Sequence, residues 1–150
     1  MYFFRKAQET NNKFLKKIYR RLTRHYRTVH GLEIPDELKV GGGLYIGHPY
    51  CITINPKTII GENVNIHKGV TLGQENRGLR KGAPIIGNRV WIGINSSIVG
   101  HITVGDDVLI APNSFVNCDI PSHSIVFGNP CVIKRCENAT ESYITRVAQK

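Results

Sequence analysis

The chain has 150 residues, is 41% hydrophobic and carries a formal net charge of +9 at pH 7. That length predicts one domain with flanking segments, and no apolar run reaches the length of a membrane span. The charge is local. Arg5, Lys6, Lys13, Lys16, Lys17, Arg20, Arg21, Arg24 and Arg27 face Glu9 alone within residues 1–30, and the rest is almost neutral. Any anionic partner therefore belongs to the N-terminal segment.

Phe3 and Phe4 are followed at once by charged residues, with no small-residue cleavage site, so no signal peptide is expected. Residues 1–32 read as a basic amphipathic helical segment. Leu15, Ile18, Leu22, His25 and Val29 recur at three- and four-residue spacing and form an apolar stripe. The plain reading docks that stripe on the core or on a neighbouring subunit. The functional reading is peripheral contact with an anionic membrane surface. Nucleic acid is not expected, because no groove-reading motif accompanies the charge.

Residues 33–134 carry a repeat of six. An aliphatic residue opens each unit at Ile34, Val40, Ile46, Ile54, Ile60, Ile66, Leu72, Ile86, Ile92, Ile98, Val104, Ile110 and Val116. A second inner position follows four residues later, as at Leu38, Leu44, Tyr50, Thr58, Val64 and Val70. A helix would scatter such openers around its axis. Short flat strands with a turn after each unit, three strands to a coil, stack them into one core. Each coil then covers only its neighbours, and both ends need capping. The phase slips by two residues before Ile54, which predicts a small loop just after His48. It breaks again at residues 74–84, a polar inserted loop. After Gly128-Asn129-Pro130 the repeat ends, and residues 135–150 read as a C-terminal capping helix started by Asn138 and Glu141.

Cys51, Cys118, Cys131 and Cys136 lack metal-binding spacing and read as free thiols in a reducing compartment, hence a cytoplasmic protein. No histidine pair has ligand spacing, so no metal is expected. Most of the six histidines read as structural. His48 differs: a glycine precedes it, the phase slip follows it, and its coil lies near the inserted loop. A histidine whose other ring nitrogen meets a carboxylate is a general base for a hydroxyl. Glu33, Asp36 and Glu37 all lie one coil earlier, and spacing alone does not choose among them.

The repeats resemble the left-handed parallel β-helix acyltransferases of the hexapeptide-repeat superfamily. Glu33-Ile34-Pro35, Tyr45-Ile46-Gly47-His48, Ile60-Gly61-Glu62-Asn63-Val64 and Gly69-Val70-Thr71-Leu72-Gly73 are most similar to the serine acetyltransferase branch, and Gly128-Asn129-Pro130 resembles the superfamily's closing motif. The resemblance implies acetyl-CoA as donor, a homotrimer with shared sites, His48 as general base and Glu33 as its carboxylate partner. It implies that Gly93, Ile94, Ala111 and Pro112 line the donor, that Gly73 and Gln74 lie near the oxyanion, and that Lys134 and Arg135 meet the CoA phosphates.

Two departures accompany the resemblance. The branch has an acidic residue before the base and an Arg-His pair at the end of the inserted loop, where this chain has Gly47, Gly82 and Ala83. The large N-terminal helical domain of that branch has no counterpart in this sequence. With those contacts gone, the acceptor is read as a sugar hydroxyl of a surface polysaccharide or its precursor. The alternatives are serine O-acetylation in cysteine biosynthesis and a non-catalytic β-helix scaffold.

Overall fold

The computed structural model describes residues 2–148. From residue 33 the chain winds into a solenoid. Its coils are built from β1 (Lys39–Val40), β2 (Tyr45–Gly47) and β3 (Thr53–Ile54); β4 (Ile59–Ile60), β5 (Asn65–His67) and β6 (Thr71–Gly73); β7 (Ile85–Ile86), β8 (Val90–Ile92) and β9 (Ser97–Val99); and β10 (Thr103–Val104), β11 (Val108–Ile110) and β12 (Phe115–Val116). β13 (Ser124–Phe127) and β14 (Val132–Arg135) close it. Strands pair in parallel with the coil above and below, giving a first face β1-β4-β7-β10 and a third face β3-β6-β9-β12. The second face runs β2-β5-β8-β11-β13, with β14 added antiparallel at its end.

The side-chain column is the predicted one. From Ile54 to Val116 every opener is buried, and Val64, Val70, Val90, Ile102 and Val108 fill the inner positions between them. Coil corners take left-handed backbone angles at Asn63, Asn95 and Asn113, where an Asn side chain tolerates that geometry. One inner position differs from expectation. Tyr50 is exposed, and Ile52 is fully buried in its place. The two extra residues loop out between β2 and β3, and the pairing Thr53↔Thr71 and Ile54↔Leu72 fixes the register after them.

The N-terminal segment is two helices, α1 (Tyr2–Glu9) and α2 (Lys13–His30). Asn12 starts α2 by accepting from the Phe14 and Leu15 N–H groups, and Gly31 ends it in a left-handed conformation. Phe4 and Ala7 of α1 are buried over the first coil. The Arg5 guanidinium donates to the Val40 and Gly41 carbonyls, which a further coil would otherwise pair. α2 turns a different face inward from the one its stripe suggests. Tyr19, Thr23, Arg27 and His30 are the covered positions, and Arg27 pairs with Asp36 at 2.9 Å. Leu15, Ile18, Leu22 and Val29 point outward and are exposed. Polar anchoring to the first coil decides which side docks.

The expected C-terminal helix over residues 135–150 is not formed within the described residues. Lys134 and Arg135 instead extend β14, and the chain then makes turns. Asn138 and Ser142 adopt positive φ, and Asp107 takes the N–H groups of Ala139 and Thr140. A helix cannot propagate through backbone held that way. The tail runs back across the second face until the Ala148 N–H reaches Asn63 Oδ1 at 2.8 Å. The four cysteines are free, and Cys118 Sγ lies 3.8 Å from Cys131 Sγ.

Candidate active site

His48 follows β2 at the corner between the second and third faces. It is exposed and has φ 54. The Tyr50 N–H donates back to the His48 carbonyl at 2.7 Å, and Cys51 also takes positive φ. The loop is pinned on both sides: the Cys51 N–H donates to His30 at the end of α2, and the Gly69 N–H donates to Tyr50. A non-glycine residue at positive φ is sparsely populated and held only by its surroundings. The phase slip thus lifts His48 clear of the wall and fixes it.

Glu33 is tied to the third face by a parallel bridge to Thr53. Its N–H donates to Ile52 and its carbonyl accepts from Ile54. Among the described residues no hydrogen bond or ion pair joins its carboxylate to His48. Asp36 is engaged by Arg27 and so is withdrawn from that role. The nearest partner the structure gives His48 is another histidine. His67, on β5 directly beside Gly47, has its ring centre 6.4 Å from that of His48. Burial lowers the His67 pKa, and the charge of His48 lowers it further.

This pairing explains one departure from the family pattern. A Cβ on Gly47 would lie 2.6 Å from the His67 ring. An acidic side chain before His48 has no room while His67 occupies that space. Gly82 is similarly constrained, with φ 139 and its Cβ position 2.9 Å from His101 Cβ.

The remaining expected residues divide between two corners. Gly93 and Ile94 follow β8, and Ala111 and Pro112 follow β11, so they stack along the edge that carries His48. A Cβ on Gly93 would meet the Pro112 nitrogen at 2.6 Å, which closes the coils tightly there. Gly73 and Gln74 end β6 at the opposite edge of the third face, where Asn55 Nδ2 donates to Gln74 Oε1 at 3.1 Å. Lys134 and Arg135 lie exposed on β14, with Arg135 held by Glu137 at 2.7 Å. Within one chain the predicted site is therefore assembled in part, as two edges rather than one cleft.

Asn65 and Arg146, which the sequence reading did not mark, lie beside His67 together with Trp91 and Tyr143. Trp91 lies between His67 and Tyr143, with ring centres at 4.8 and 5.0 Å. The alternation of outward-facing residues on β2, β5 and β8 carried a signal for Asn65 and Trp91. Nothing local signalled that the tail would return over them.

Residues 83–118 match the family described as bacterial transferase hexapeptide (six repeats). Serine acetyltransferase from Helicobacter pylori is 37% identical over 126 residues, covering 84% of this chain and 74% of that protein. Serine acetyltransferase 2 of Arabidopsis thaliana is 32% identical over 88% of this chain and 41% of its own length. Among solved structures, serine acetyltransferase from Brucella abortus superposes with a TM-score of 0.76 at 28% identity, over 92% of this chain and 56% of that one. The Neisseria gonorrhoeae enzyme in complex with serine gives 0.68 at 33%, over 79% and 48%. The solenoid thus has the architecture of a left-handed β-helix acyltransferase. The chain belongs to the hexapeptide-repeat acyltransferases, in their serine acetyltransferase-like branch. It spans about three quarters of the Helicobacter protein and about half of the solved chains.

These findings correct one expectation. A polysaccharide acceptor finds no support among the relatives, and serine, the alternative, fits them better.

Proposed function

We propose that the protein moves an acetyl group from acetyl-CoA to the hydroxyl of serine or a close analogue. The observation that carries this is His48, exposed at a corner of the solenoid and fixed by a two-residue slip, in a chain whose relatives are serine acetyltransferases. His48 takes the proton from the acceptor hydroxyl, and the oxygen attacks the thioester carbonyl. The protonated ring then returns the proton to the departing thiolate. Glu33 is the proposed carboxylate partner, engaged on substrate binding or across a subunit boundary. Gly93, Ile94, Ala111 and Pro112 offer backbone along the same edge for the donor. Gly73 and Gln74 at the far edge would complete the oxyanion contacts in a homotrimer, where one subunit's edge meets another's. Lys134 and Arg135 are the proposed phosphate contacts.

The test is thiol release from acetyl-CoA with L-serine, simple hexosides and oligosaccharides, on the native protein and on His48→Ala. L-Serine is expected to drive release, and His48→Ala to lower kcat by about 10²–10⁴-fold, the usual worth of a general base. Release driven only by saccharides would replace the acceptor. Release undiminished in His48→Ala would remove the base.

We also propose that α2 rests on an anionic membrane surface. Support comes from an apolar row left uncovered by the solenoid, on a helix that also exposes Lys13, Lys17, Arg21 and Arg24.

A further inference from the structure

The returning tail roofs a cavity of about 230 Å³ on the outer side of the second face. Tyr45, Asn65, His67 and Trp91 form its floor, and Tyr143 and Arg146 its roof. Two buried atoms around it lack partners, and a cation stands exposed at its rim. Asn65 Nδ2 donates to the Tyr143 carbonyl at 3.3 Å, but its Oδ1 is buried with no partner. His67 Nε2 is likewise buried and unpaired. Arg146, an exposed residue, has its guanidinium 4.9 Å from the centre of the Tyr45 ring and no carboxylate partner among the described residues. Buried polar atoms without partners are rare, and two at one cavity point to a missing ligand.

The missing groups can be specified. Asn65 Oδ1 accepts only, so it needs a donor. Arg146 is a permanent cation whose fork matches a carboxylate. A small α-amino acid carries both, an ammonium and a carboxylate on one carbon. The site also adjoins the base, since His67 faces His48 across Gly47, which interposes no side chain.

We propose that this cavity is the amino-acid subsite of the acceptor, with Arg146 holding the carboxylate and Asn65 Oδ1 the ammonium. The inference rests on the serine reading above, and it supplies the charge contacts that Gly47, Gly82 and Ala83 do not. His67 Nε2, buried and unpaired at the same wall, offers a further hydrogen bond. The subsite is completed by the tail.

Trp91 is the single tryptophan of the chain and stands in the cavity wall, so its fluorescence reports occupancy without turnover. L-Serine and L-serinamide, which lacks the carboxylate, are titrated into the native protein and into Arg146→Ala, with thermal melts as a check of folding. L-Serine is expected to give a saturable change, weaker by about tenfold or more in Arg146→Ala, as for a lost charged contact. L-Serinamide is expected to bind weakly and equally to both. In turnover, Arg146→Ala raises KM for serine by a similar factor with kcat nearly unchanged. No change at Trp91, or equal titration of both proteins, overturns the subsite and leaves a water-filled cavity. Serine turnover with an unmoved KM overturns the subsite while the proposed function stands. Arg146-dependent binding of serine without its acetylation overturns the proposed function while the subsite stands.

Discussion

Asp107 accepts from the Thr140 hydroxyl at 2.7 Å, from the Thr140 and Ala139 N–H groups at 3.0 Å, and from His123 Nδ1 at 3.0 Å. Burial by itself would raise its pKa. The hydrogen bonds from Thr140, His123 and Ala139 outweigh burial and hold the carboxyl down to about 2. A folded pKa below the ordinary value of 3.8 means stability that is present above that pH and is lost as pH falls towards 2. Amide exchange across residues 138–148 is therefore expected to speed up as pH drops through that window, after correction for intrinsic exchange. Asp107→Ala leaves two N–H groups and a hydroxyl unpaired and is expected to cost about 3 kcal/mol in urea unfolding. Little of this was legible beforehand. Asp107 reads as one more turn residue of the repeat, and only the return of the tail gives it partners. His48 was legible because the phase slip marks it. The His67–Gly47 pair was not, because it lies across strands rather than along one.

At the scale of the elements, the stripe of α2 was legible but its orientation was not. Periodicity of three and four shows that a helix has two faces. It does not say which face docks when polar anchors such as Arg27–Asp36 compete with the stripe. The docked side is the Thr23 side, and the apolar row stays outside. If that row meets lipid, the protein should co-sediment with phosphatidylglycerol vesicles and not with phosphatidylcholine ones. Binding should weaken with added salt, because screening acts on exposed charge. Leu22→Glu, on an exposed position, should abolish co-sedimentation and leave the melting temperature within a few degrees. Retention of binding in Leu22→Glu would show attraction by charge alone. The repeat strands were the most legible elements, since two signals agree at each coil: an aliphatic opener and a left-handed turn residue. The C-terminal helix was misread because the short amphipathic pattern gives no sign that Asp107 holds the Ala139 and Thr140 N–H groups in turns, and of that pattern only Ile144 is buried.

Across the whole molecule, a solenoid ordinarily has contacts only between adjacent coils, and its stability is close to a sum over neighbours. Here Asn65 reaches Tyr143 and Asn63 reaches Ala148, while Asp107 secures the start of the strap. Removing residues 138–148 is expected to broaden the urea transition and lower its m-value, with the first coils melting ahead of the clean repeats. A single sharp transition in the shortened chain would show that the coils cooperate without the strap. There is a temporal side to this arrangement as well. A ribosome releases the coils one after another, each able to settle on the one before it. Residues 143–148 are made after every coil they touch, from Tyr45 and Asn63 to Trp91. The circuit therefore closes only once the whole solenoid stands, and the pocket beneath Arg146 comes into being at that same moment.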